Sequence, residues 1–581
     1  MAVAAGSIVH PEGQHSFPAT TREGIDAAVA DLQEHKSAWV ATSIQQRISY
    51  LEGIIERMHA VRERWVRRAC DAKGIPFDAP VSGEEWFSGP VLVIRHARLL
   101  KESLQDILRH GTPQFPGPVT TFKGQTIVGV YPTNLYDKLL FAGISGEVWM
   151  EPGVAPGDIA ASQAAIYQPG ADREAAVGLV LGAGNIGAIP SNDTMSKMFG
   201  EDEVVVLKMN PVNEYLGPLM AEVFAELIDD GFFRIIYGGA DEGSYLCHHD
   251  GVERIHITGS DKTHDAIVFG SGEEGTRRKV NSEPLLDKPI TSELGNVSPV
   301  IVVPGPWSES QVAYQGRNIA SMLTHNAGFN CIAARVIVMP EDWNLREPLL
   351  EAIRKALEET DVRPAYYPGA DERRDLFLTQ HPEAGSFGKA GAGTVPWTLI
   401  EGIRAEASGD VCFTTEAFAG LFGEALLPSA GSTAEYLERA VSFCNEELWG
   451  TLGATVIVHP KTKKEPGFAA AFEQAIADLR YGTVAINTFV GAGYSLISPP
   501  WGAYPGHTID DIGSGIGSVH NSYFFEKAQK AVVRAPFRPP LEPVWFPNHA
   551  HGHDVLRKLA SLEADPSPAK LPGIFWSALR G

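Results

Sequence analysis

The sequence predicts an α/β fold built from two doubly wound units, and three observations carry that expectation. Apolar β-type segments alternate with helical segments from about residue 177 to 260. The same alternation resumes near residue 288. A glycine-rich turn, GAGN (182–185), closes the first of these strands. Alternation at this spacing implies parallel sheets covered by helices on both faces. Right-handed crossovers then bring the loops after the strands to one edge of each sheet. At about 150 residues per domain the 581 residues suggest three or four domain-sized units, and 44% apolar residues supply the cores.

Residues 1–20 read as a loose arm. A helix starts after Ser43, which can cap it, and carries Ile44, Ile48, Leu51, Ile55, Met58 and Trp65 on one apolar face. Such a stripe is core packing rather than a binding face. Residues 75–175 mix Pro/Gly turns with apolar stretches and show no clear period. VGLVLGAGN is a buried strand entering a turn, EVVVLK (203–208) a second strand, 213–230 a helix stopped by Gly231, FRIIYGG (233–239) a third strand and RIHITGS (254–260) a fourth. In the second unit PVIVV (299–303), a helix at 308–323, RVIVM (335–339) and a helix near 345–358 follow. Residues 365–410 read as inserted loops, ATVIVH (454–459) and GTVAIN (482–487) as later strands, and the Pro- and aromatic-rich stretch from 536 as an ordered extended tail.

A net charge of −23 argues against nucleic acid as the main partner, because phosphate contacts need clustered Lys and Arg. It argues equally against an anionic membrane surface. No apolar run reaches the roughly 18–20 residues of a membrane helix. The N-terminus lacks a basic start followed by an apolar core, so no secretory signal is read. The five cysteines are widely spaced without a C-x-x-C pair, which signals neither zinc nor a disulfide framework. The expectation is a soluble, cytoplasmic protein. Neither Cys247-His248-His249 nor His549/His551/His553 has convincing ligand spacing, so no metal is expected.

GAGNIG (182–187) fits G-x-G-x-x-G after a strand, but the next strand ends in Lys208 rather than an acid, so an ordinary dinucleotide fingerprint fits poorly. The joint pattern says more. GAGN, VVLK, HITGS (256–260), SELGNVSP, HNAGFNC, EAFAG (416–420), GTVAIN and PPWGAYPG (499–506) occur in one order. In these segments the chain resembles the aldehyde dehydrogenase superfamily, from about residue 25 to 535, as a divergent member.

The resemblance implies two doubly wound α/β domains, one for a cofactor and one for catalysis, with a small bridging β-sheet for oligomerisation. It assigns 1–147 and 176–292 to NAD(P) binding, 293–510 to catalysis, 148–175 and 511–540 to bridging, and 541–581 to a C-terminal tail. It makes Cys331 the nucleophile, Glu293 the general base for water and Asn185 the oxyanion donor. It gives Lys208, Gly259, Ser260, Glu416 and Phe418 to the cofactor, and Trp501 to a substrate tunnel. Each role suits the residue: a thiolate attacks carbonyls, an amide stabilises a developing oxyanion, and a carboxylate of tunable pKa takes protons. Without the resemblance, Cys331 reads as a small buried hydrophobe, Asn185 as a turn former and Glu293 as a solvated strand end.

The chain departs from the family pattern at Gly184, Pro211, His264 and Phe329. Pro211 stands where NAD-preferring members often carry Glu, so NAD and NADP both remain admissible. The implied reaction is oxidation of a small aldehyde to a carboxylic acid through a thioester on Cys331, by a homodimer or homotetramer. A CoA-acylating dehydrogenase and a non-catalytic binding protein that keeps the fold are the alternatives.

Overall fold

The computed structural model describes residues 5–546 and 548–581. Two sheets organise the chain. The smaller runs in the order Gly515–Ile516, Ile290–Leu294, Arg254–Gly259, Ala176–Leu181, Glu203–Lys208, Phe233–Ile236. All its pairings are parallel except the short outer strand Gly515–Ile516, which pairs antiparallel with Ile290–Leu294. The first strand in chain order, Ala176–Leu181, lies between the second and the fourth, so the winding reverses beside it and opens a crevice at the strand C-termini.

Helices Arg22–Ala41, Ile44–Lys73 and Leu92–His110 cover this sheet with one continuous apolar core. Ser43 caps the second of them by accepting from the Gln46 N–H, and Ile48, Leu51, Ile55, Met58 and Trp65 are buried as the stripe requires.

The larger sheet has eleven strands. Its parallel centre consists of Trp397–Arg404, Leu421–Leu427, Ala334–Pro340, Ser298–Val302, Gly453–Ile457, Thr483–Ile486 and Ala528–Arg534. Apolar cores pack on both faces. Thus the two doubly wound units expected from the alternation are present.

Several local expectations differ from the structure. The antiparallel ribbon that extends the large sheet is built from Val119–Phe122, Gln125–Tyr131 and Ser145–Met150 on Ala528–Arg534. It is hydrogen-bonded through Ala528–Arg534 to Thr483–Ile486, so within one chain it continues the larger sheet rather than forming a separate one. Residues 156–167 form three short 3-10 turns instead of bridging strands. The 365–410 loops contain helix Ala370–Gln380 and strand Trp397–Arg404. That helix buries only Ala370, Arg373 and Phe377, which is why its charge-rich sequence hides it.

The tail is not extended throughout. Helix Gly552–Ala564 buries Val555, Leu556, Leu559, Ala560 and Leu562 against Val66, Cys70 and Trp86. The segment 213–230 is broken into a 3-10 turn and two short helices, and Gly231 ends it at φ +79°. Among the described residues no helix is long and apolar enough to cross a membrane.

Candidate active site

Cys331 follows an unusual turn. Helix Glu309–Thr324 ends at a 3-10 turn, His325–Gly328, in which Asn326 and Ala327 adopt φ of 53° and 56°. Gly328 continues at φ +82°, and a Cβ there would meet the Ala419 backbone at 2.7 Å, so only glycine fits. Strand Ala334–Pro340 begins three residues after Cys331, so the cysteine ends a helix-to-strand connection.

Arg335 clamps this connection from below. Its Nη1 donates to the carbonyls of Ala419 and Leu421, and its Nη2 to those of Gly328 and Asn330. The other four cysteines are buried, as packing residues would be.

Glu293 comes from the other sheet, near the end of Ile290–Leu294, and its carboxyl lies close enough to the Cys331 thiol for each to shift the other. The indole N–H of Trp501 donates to Glu293 Oε1 at 3.2 Å. Burial, reinforced by the Asp193 carboxylate, pushes the Glu293 carboxyl up to about 8. Burial and the neighbouring carboxylates of Glu293 and Glu416 hold the Cys331 thiol well above its ordinary value. Both shifts favour a protonated cysteine beside a carboxyl that changes charge near pH 8.

Asn185 ends the turn after Ala176–Leu181. Its side-chain N–H donates to the Phe329 carbonyl at 3.1 Å, which places the amide two residues from Cys331. Its own carbonyl accepts from Lys73 Nζ (3.2 Å), Asn326 Nδ2 (3.2 Å) and Tyr366 OH (3.0 Å). Lys73 Nζ also donates to Asn326 Oδ1 at 3.0 Å and to Glu85 at 2.8 Å, all within the interior. This buried network ties the Asn185 turn to the Cys331 turn. Sequence reasoning missed Lys73, Glu85, Tyr366 and Arg335. A lysine in the last turn of a helix reads simply as a partner of the helix dipole.

Asn185, Glu293 and Cys331 thus converge, while Lys208 and Gly259 end strands of the smaller sheet and Ser260 follows Gly259. Lys208 ends Glu203–Lys208, and burial lowers it to about 8 against the pull of Glu12, Glu242 and Glu214. Gly259 ends Arg254–Gly259, and Ser260 caps helix Asp261–Phe269 by accepting from the Thr263 N–H at 3.1 Å.

Glu416 is buried and pushed up to about 7, chiefly by burial; its Oε1 has no hydrogen-bond partner. Phe418 takes φ +39° and meets Phe329 at 6.2 Å between ring centroids. A carboxylate with a free oxygen suits a ribose diol, and a capped helix N-terminus suits a phosphate. The donor set therefore fits a dinucleotide.

The departures have steric partners. At Gly184 a Cβ would lie 2.6 Å from Asn210 Oδ1, so Asn210 and Val212 fill the space of a larger residue. His264 is fully buried. Phe329 stacks on Tyr367 at 5.8 Å. Trp501 stands edge-on to Tyr494 at 5.3 Å while holding Glu293. Trp86 and Trp397 are buried in the cores.

The sequence profile of the aldehyde dehydrogenase family matches residues 202–371, a stretch containing Lys208, Gly259, Ser260, Glu293 and Cys331. The chain is 32% identical over 138 residues to 4-trimethylaminobutyraldehyde dehydrogenase A of Danio rerio, which is 24% of each chain. It is 30% identical over 140 residues to 4-trimethylaminobutyraldehyde dehydrogenase of Homo sapiens, 24% of this chain and 25% of that one. The matched segment spans about a quarter of the length of these curated relatives.

Solved structures match over nearly the whole fold. Glyceraldehyde-3-phosphate dehydrogenase GapN of Methanocaldococcus jannaschii, complexed with NADP, aligns with TM-score 0.58 at 16% identity, covering 91% of this chain and 99% of that one. A mutant aldehyde dehydrogenase C of Pseudomonas syringae, complexed with NAD+ and octanal, gives 0.59 at 15% identity, covering 93% and 98%. Mycobacterium tuberculosis aldehyde dehydrogenase, complexed with NAD+, gives 0.60 at 15%, covering 90% and 92%. At these identities the structural likeness speaks for the fold.

Proposed function

We propose that the chain, which is similar to the aldehyde dehydrogenase family over residues 202–371, oxidises an aldehyde to a carboxylic acid with NAD or NADP. The observation that carries this reading is the juxtaposed Cys331–Glu293 pair with the Asn185 amide anchored at the same turn. A nicotinamide dinucleotide, when bound, would supply the hydride acceptor that this oxidation needs. Lys208, Gly259, Ser260, Glu416 and Phe418 would hold it.

The chain's own residues do the rest. Glu293 as carboxylate takes the Cys331 proton, and the thiolate forms a bond to the carbonyl carbon. The carbonyl oxygen becomes an oxyanion stabilised by the Asn185 side-chain N–H and the Cys331 backbone N–H. After the thioester forms, Glu293 gives its first proton to solvent and, again a carboxylate, takes a proton from water as the hydroxide attacks the same carbon. The acid leaves and the sulfur recovers its proton.

Glu293 thus serves both half-reactions, and a carboxyl poised near 8 is matched to that work. Its presence favours release to water over release to CoA. We place the protein in the cytoplasm, where five free cysteines stay reduced. A second copy could add at the outer edge of the large sheet, Val119–Phe122.

Cys331→Ala tests the reading. It should abolish NAD(P)H formation at 340 nm across an aldehyde panel while cofactor binding persists. Substantial dehydrogenase activity in that variant would sink the assignment.

A further inference from the structure

The N-terminal arm is not loose. Gly6–Ser7 pairs as a short parallel ribbon with Thr415–Glu416, Ser7 opposite Glu416. The Ser7 N–H donates to Asp261 Oδ1 at 2.9 Å, and its hydroxyl donates to Glu416 Oε2 at 3.1 Å. Farther along, the His10 ring packs on Phe418 at 5.1 Å and on Tyr367 at 5.4 Å. Glu12 fills the space beside Gly239, and its charge acts on Lys208. Gly13 lies against Val212, and the Ser16 and Phe17 N–H groups donate to Glu214.

The arm therefore touches Glu416, Phe418, the N-terminus of the helix capped by Ser260, and the surroundings of Lys208. These are the groups assigned above to the dinucleotide.

Two features say the contact is made to be broken. The arm is held mainly by polar contacts at isolated points, the kind of segment that opens at low cost. It also satisfies only one oxygen of Glu416, leaving Oε1 buried and unpartnered, whereas a ribose diol would engage both.

We propose that residues 5–17 form an autoinhibitory strap that occupies the dinucleotide crevice and must leave before NAD or NADP binds. The proposal rests on the dinucleotide dependence proposed above. A strap closed in nine molecules of ten would weaken apparent cofactor affinity about tenfold.

The test compares the full chain with a deletion of residues 1–17 and with full-length Ser7→Pro. Proline removes both the N–H given to Asp261 and the hydroxyl given to Glu416. NADH and NADPH are titrated by fluorescence, and hydrogen exchange of residues 5–17 in the full chain is followed with and without saturating cofactor. The strap predicts that both variants bind about tenfold tighter or better, and that cofactor speeds exchange in the arm. Equal affinities within about twofold, with unchanged exchange, overturn the strap and leave the dinucleotide reading standing. Weaker binding by the deletion also overturns it, because the arm would then belong to the cofactor site. No binding by any form, with unaltered thermal melts, overturns the dinucleotide reading and the strap with it.

Discussion

Replacing Glu293 by Gln removes a charge while keeping the shape and an oxygen that can accept from Trp501. The carboxyl is held at about 8 rather than 4.5, first by burial and then by Asp193. At about 1.4 kcal/mol per pKa unit, ionising it in place costs about 5 kcal/mol. Its folded pKa exceeds its unfolded pKa, so the unfolded chain sheds the proton first. The penalty is absent below pH 4.5, grows through pH 7 and levels off above about pH 8. Glu293→Gln escapes it. Its stability advantage over the wild type should be near zero at pH 4.5, about 3 kcal/mol at pH 7, and greatest at pH 8 and above. Thermal and urea melts of both proteins without cofactor, at each pH unit from 5 to 9, read this directly. A difference that stays constant between pH 5 and 8 would refute the reasoning, because the carboxyl would then be ionised throughout and poorly matched to taking protons at Cys331.

The remaining predictions concern turnover and the scaffold beneath it. The rate should rise with pH along a single limb centred near 8, where Glu293 becomes a carboxylate, and Trp501→Phe should move that limb upward by removing a donor to the charged form; an unmoved limb in pH–rate profiles would contradict this. Asn185→Ala should lower kcat by about 10²- to 10³-fold with little change in KM, as loss of one oxyanion donor does; steady-state kinetics checks it. Lys73→Met strands the buried Glu85 carboxylate and should cost about 3–5 kcal/mol, most of it recovered when Glu85→Leu is added; melts of the single and double variants decide.

Legibility in the sequence followed the range of the interactions. Helix Ile44–Lys73 could be read because its cap and apolar stripe are local, and so could the buried strands Ala176–Leu181 and Ala334–Pro340. The order of motifs located Cys331, Glu293 and Asn185, which the fold then brings together. What could not be read is held by distant partners. Lys73 meets Asn326 across 253 residues, and no local pattern marks either as a partner of the other. Ser7 meets Glu416 across 409, and the arm has no apolar period to announce that it is ordered. Arg335 looks like an ordinary charge at a strand start until four carbonyls converge on its guanidinium. Helix Gly552–Ala564 was hidden by the Pro- and His-rich stretch before it, although its apolar spacing is regular.

The central claim is that Cys331 carries the acyl group and Glu293 releases it to water. The direct measurement is intact-mass and peptide analysis of Glu293→Gln after mixing with an oxidisable aldehyde and NAD(P), alongside the absorbance at 340 nm. The account predicts a single burst of about one NAD(P)H per active site and an acyl mass added to the Cys331 peptide. Continued turnover without CoA, or reduced cofactor with the adduct on another residue, would contradict it.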